Sequence, residues 1–135
     1  MKTLSLTQPW AQLIVSGAKK YETRSWTTSY RGPLYIHAAK RFPAYARDYA
    51  LEVYRNAAVL PDFPLGAIIG RAILKNIYRT EDIVATLSDL ERLYGDYTPG
   101  RWAWELPEAE MFETPIPYKG SLGLFEVTLL AAGGS

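Results

Sequence analysis

Leu4 and Leu6 alternate with Thr3, Ser5 and Thr7, which predicts a first strand. Pro9 suits the first turn of a following helix, with Thr7 or Gln8 at its cap. Trp10, Leu13 and Ile14 fall at helical spacing and predict a buried stripe, which Ser16-Gly17 ends. From Tyr21 to Trp26 the pattern turns extended: Tyr21, Thr23 and Ser25 face one way, and Glu22, Arg24 and Trp26 the other. Arg31-Gly32-Pro33 reads as a turn, and Leu34 to Ala38 as a strand with His37 on the face opposite Ile36. Pro43 opens a helix expected to reach about Ala57, with Ala46, Ala50, Val53 and Tyr54 on one face.

The second half is more broken. Gly66 to Arg79 reads as one long strand with a bulge or bend at Gly70. A strand of that length in so short a chain must curve, which favours a barrel over a flat sheet. Thr80, with Glu81 and Asp82, starts a helix whose stripe is Ile83, Leu87, Leu90 and Tyr94, stopped by Gly95. Trp102 to Leu106 is a strand with both tryptophans on one face, as in the filled interior of a small barrel. Residues 107–113 are acidic and carry no clear period, and 115–120 read as a rigid extended link. Leu122 to Leu129 is a last strand, and 131–135 a frayed tail. The expectation is an α+β fold: a small β-barrel with flanking helices, one domain over 1–130.

Composition narrows the function. The 135 residues include no cysteine and one histidine, which argues against a disulfide framework, a thiol nucleophile or a zinc site. No apolar run approaches the roughly 20 residues that span a bilayer. No secretory signal pattern opens the sequence, so a cytoplasmic protein without a membrane partner is expected. Residues 1–48 carry eight Lys/Arg against Glu22 and Asp48, a net +6, and the remainder a net −5. That asymmetry points to a basic face and an anionic partner, unless the halves interleave and the charges mix.

The stretch Gly17-Ala18-Lys19-Lys20-Tyr21-Glu22-Thr23-Arg24-Ser25-Trp26 concentrates charge of both signs beside large aromatics. Lys20 fits the C-terminal end of the preceding helix, where cations complement the dipole. Lys19, once buried, would lose its proton more easily and could work with Glu22 as a catalytic pair. Cations interleaved with aromatics are also what single-stranded nucleic acid or a nucleotide needs: charge for phosphate, rings for bases. The candidate ligand-binding residues are Lys19, Glu22, Arg24, Trp26, Trp10, His37, Lys40 and Lys119. A serine triad built on His37 lacks a G-x-S-x-G elbow, and the glycine-lysine run follows a helix rather than opening one, unlike a phosphate loop. No cofactor is expected. A protein-interaction module, meeting a partner through its acidic 105–113 segment, is a further alternative.

At these residues the chain resembles the ASCH domain family of the PUA-like superfamily. Gly17, Lys19, Glu22 and Arg24 match the family's G-x-K-x-x-E-x-R signature, in register with Gln8-Pro9-Trp10 before it and Arg31-Gly32-Pro33 after it. Arg101 to Leu106 and Pro115 to Phe125 also look like the family. The resemblance implies a PUA-like β-barrel with flanking helices and a cleft lined by the signature. It implies RNA or another nucleic acid as partner, or a nucleoside-sized ligand. Some relatives are hydrolases of N4-acetylcytidine, using a lysine at the Lys19 position, a threonine and a distal glutamate; others are ribonucleases. Here Glu22 stands in the threonine's place, and alternation turns Thr23 to the opposite face. That departure favours recognition over amidohydrolase catalysis.

Overall fold

The computed structural model describes residues 1–129. The expected tail at 131–135 lies outside them. Among the described residues, eight strands form two sheets. Strands β1 (Lys2–Leu6), β3 (Gly32–Ala38), β4 (Ala67–Leu74), β7 (Glu110–Pro117) and β8 (Leu124–Glu126) make a five-stranded sheet in the order β7-β4-β3-β1-β8. Strands β2 (Tyr21–Arg24), β5 (Asn76–Arg79) and β6 (Trp102–Glu105) make a second sheet in the order β2-β6-β5. The α+β class holds. Among the described residues the pairings do not close into one barrel.

The long strand expected over 66–79 is two strands in different sheets. It breaks at Lys75, whose N–H is bonded to the Glu105 carbonyl at 3.0 Å. The bend follows from burial: β4 packs both faces into the core, whereas β5 lies half-exposed beside β6. Gly70 does mark an irregularity. The register between β4 and β7 shifts between Ile68 and Gly70.

Helix α1 (Trp10–Val15) buries Ala11, Leu13, Ile14 and Val15. The N-cap is Pro9 rather than Thr7 or Gln8; Gln8 just before it is fully buried, its side-chain oxygen accepting from the Gln12 N–H at 2.9 Å while its amide donates to the Pro64 carbonyl at 3.0 Å. Between β3 and β4, helix α2 (Ala44–Val53) is shorter than expected, and buries Ala46 and Ala50.

The single helix expected from Thr80 to Tyr94 is instead α3 (Thr80–Ile83), a 3-10 turn (Val84–Thr86) and α4 (Asp89–Leu93). Leu87 is extended and buried with Tyr97 and Ala103, and Ser88 restarts the helix by accepting from the Glu91 N–H. Ser88-Asp89-Leu90-Glu91 has the spacing of a capping box, a start signal inside the apparent stripe.

Residues 110–117, expected to lack a clear assignment and then to form a link, are strand β7. Its position at the sheet edge accommodates Pro115 and Pro117, which have no N–H to pair. The last strand is shorter than expected because Gly123 turns the chain with φ +66° just before it.

The main core is Leu4, Leu6, Leu34, Ile36, Ile69, Leu74, Trp104 and Leu106 under α1. Trp104 is fully buried in this core, while Trp102 is half-buried with the Arg79 guanidinium 4.5 Å over its ring. Among the described residues no helix is long and apolar enough to cross a membrane.

Candidate functional site

The turn at Gly17, with φ +82°, carries the chain from α1 into β2. The Lys19 N–H then bonds the Leu13 carbonyl at 2.9 Å, which tucks Lys19 under the helix end. Its side chain is 1% exposed, its ammonium donates to the Tyr21 carbonyl, and Nζ lies 3.6 Å from Glu22 Oε1. On its other side, Glu22 Oε2 is 3.1 Å from Arg24 Nε, and Arg24 Nη2 donates to the Ser5 carbonyl at 2.8 Å. The signature thus folds into a chain of charge, Lys19–Glu22–Arg24, anchored to β1. Burial holds the Lys19 pKa below its ordinary value, against the opposing pull of Glu22 and Glu91. Lys20 is exposed and donates to the Gly17 carbonyl at 3.2 Å, a helix-end role.

Two adjoining cavities, each of about 350 Å³, open over this chain and share Trp10, Glu22 and Thr23. Lys19, Tyr49 and Gly95 line the first. Arg24, Trp26 and Arg101 line the second. Tyr49 stacks on Trp10 with ring centroids 4.9 Å apart, and Trp10 Nε1 donates to the Tyr94 carbonyl at 3.1 Å. Burial pushes the Tyr49 hydroxyl up to about 12. Trp26 meets Trp104 edge to face at 4.9 Å. Thr23 pairs with Ala103, so the alternation turns it from Glu22 as expected, although it borders both cavities.

Two arginines of the second cavity have unspent donors. Arg24 Nε sits beside Glu22 off the line of its N–H, and Arg101 Nε is 3.6 Å from Asp96 Oδ2. Both are buried atoms without a hydrogen-bond partner. Such groups are rare in folded proteins and call for a reason.

The structure therefore brings together Lys19, Glu22, Arg24, Trp26 and Trp10. It does not bring in the other three candidates. His37, Lys40 and Lys119 line a separate cavity of about 750 Å³ on the far side of Ser5 and Ala39, which border both regions.

Sequence reasoning missed Glu91, Tyr49, Tyr97 and Arg101. Glu91 is buried, accepts from the Lys20 N–H at 2.9 Å, and receives the Tyr97 hydroxyl at 3.3 Å. The Tyr97 hydroxyl is pushed up by burial and by Glu91. The capping-box spacing around Glu91 was the one available signal, and it points to a helix start rather than to a buried carboxylate.

The family model for the ASCH domain matches residues 4–116. The chain belongs to the ASCH domain family. Crystal structures of ASCH from Zymomonas mobilis share the fold, with a TM-score of 0.60 over 94% of this chain and 87% of that one, at 19% identity. A tyrosine-to-phenylalanine variant of that protein matches equally, over 89% of its length. Among curated proteins, activating signal cointegrator 1 of Homo sapiens and of Mus musculus is 37% identical over 73 residues, 50% of this chain. The matched region is 13% of each cointegrator's length. The matched residues include Lys19, Glu22 and Arg24, the charged row under α1.

Proposed function

We propose that this ASCH domain binds single-stranded RNA by taking a nucleobase into the cleft over Lys19, Glu22 and Arg24. The observation that carries the reading is the Glu22 carboxylate, held between a buried lysine and an arginine and bordered by Trp10 and Trp26. A carboxylate so placed accepts from an exocyclic amine, the group cytosine presents and uracil lacks. Trp26 offers a ring for stacking, and the guanidinium groups of Arg24 and Arg101, which line the second cavity, offer charge to phosphate. The combined volume suits a nucleoside. The two sheets meeting at Lys75 are read as the wall of a PUA-like barrel that presents this cleft.

Fluorescence anisotropy with short labelled oligo-C and oligo-U tests the reading. Oligo-C is expected to bind about tenfold more tightly, the lower part of the range for one good base contact. Glu22→Gln should erase the preference. Equal affinity for both, unchanged by that substitution, would overturn it.

The lowered Lys19 pKa favours a second reading, metal-independent hydrolysis of a modified nucleoside by Lys19 and Glu22. It requires turnover of an acylated cytidine, read by mass spectrometry and lost in Lys19→Ala.

A further inference from the structure

The separate cavity beyond Ser5 contains a chain of hydrogen bonds that runs from Ser5 through His37 to the Tyr118 carbonyl. His37 Nε2 lies 2.7 Å from the Tyr118 carbonyl, and Nδ1 lies 2.8 Å from Ser5 Oγ. A carbonyl only accepts, so Nε2 carries the proton. In the neutral ring Nδ1 is then a bare lone pair, and the Ser5 hydroxyl donates to it. This is the nucleophile–base–orienter order of hydrolytic serine sites, with a backbone carbonyl as the orienting group.

The surroundings match that order. His37 is 1% exposed, so its ring is fixed, whereas Ser5 is only partly buried and borders the cavity. A methyl group at position 120 would sit 2.7 Å from His37 Cε1 and 3.4 Å from Ser5 Oγ, so the backbone passes close over the pair because residue 120 is glycine. Lys40 and Lys119 line the cavity with Leu65 and Leu122, and its described lining carries no carboxylate.

We propose that Ser5 and His37 form a second, hydrolytic site, taking short-chain esters or thioesters that carry an anionic group. Ser5 Oγ attacks the acyl carbon as its proton passes to His37 Nδ1. The bond to the alcohol or thiol breaks, and the leaving group takes that proton. Water then attacks the acyl-serine, its proton passing through Nδ1 to Ser5 Oγ as the acid departs. The Tyr118 carbonyl holds the transient imidazolium, and the two lysines offset charge on the oxyanion and on the substrate's anion.

The test treats the purified full chain with a fluorophosphonate, in which Ser5 Oγ would displace fluoride from phosphorus, and maps the adduct by mass spectrometry. A single adduct at Ser5, absent in a folded His37→Gln variant, is expected. 4-Nitrophenyl hemisuccinate should be hydrolysed with at least tenfold higher kcat/KM than 4-nitrophenyl acetate. The advantage should vanish in Lys40→Ala/Lys119→Ala. Wild-type protein that takes no label at Ser5, or labels it no faster than other serines, overturns the proposal whether or not the variants fold. So does labelling that survives His37→Gln unchanged.

Discussion

Lys19 is the residue where burial and charge conflict most. An ammonium at 1% exposure keeps its proton against desolvation only through Glu22 and Glu91, and its pKa falls below 10.5. Between that lowered value and 10.5, the unfolded chain binds more protons at this position than the folded one. Stability from this group therefore rises with pH across the window, and the desolvation penalty is fully present below it. Lys19→Met removes the titration and leaves Glu22 paired with Arg24. The stability of wild type minus that of Lys19→Met is expected to increase as pH climbs through the alkaline range below 10.5. Thermal unfolding of both proteins across a pH series checks this. A constant difference would mean that Lys19 titrates normally. The motif itself was legible because Lys19, Glu22 and Arg24 lie within one strand's reach, where alternation alone puts Glu22 and Arg24 on one face. Glu91 and Arg101 arrive from distant segments, and no local period announces a residue that reaches the cleft only through the tertiary fold.

Elements show the same division. Strands with one clean period, β1 and β3, were readable, as was the helix between Pro9 and Gly17. The stripe from Ile83 to Tyr94 misled because hydrophobic spacing outweighed the Ser88 capping signal, although Leu90 and Leu93 end up exposed. Strand β7 was hidden by its prolines, which an edge tolerates and a central strand does not. Gly70 was legible as an irregularity but not as a junction. A Cβ there would lie 2.3 Å from the Glu110 carbonyl oxygen and 2.6 Å from Val15 Cγ1. The first contact is backbone, so no rotamer relieves it, and α1, β4 and β7 must separate. Gly70→Ala is expected to destabilise the domain by about 3 kcal/mol, the upper part of the usual overpacking range. Urea denaturation measures it. A loss below about 1 kcal/mol would show that β7 yields freely at the edge.

Across the whole molecule the charge asymmetry of the two halves largely mixes. Glu91 of the acidic half sits beside Lys19 and Lys20, and Glu126 lies 3.4 Å from Lys2. Two groups of cations lie in regions on opposite sides of Ser5 and Ala39: Arg24 with Arg101, each beside a carboxylate, and Lys40 with Lys119, whose cavity lining has none among the described residues. Residue type alone grouped them as one site, and only the placement of β1 between them separates them. Salt dependence tells the regions apart. Each phosphate neutralised on a single strand contributes about −0.7 to the slope of log K against log salt concentration. Arg24→Ala and Arg101→Ala should each weaken oligo-C binding and flatten that slope by about 0.7. Lys40→Ala/Lys119→Ala should leave both slope and affinity nearly unchanged, because the proposed RNA path ends at the cleft. If the double lysine variant flattens the slope by about 1.4 instead, the strand crosses Ser5 into the larger cavity. The cations there would then serve phosphate contacts of the RNA rather than a separate anionic ester.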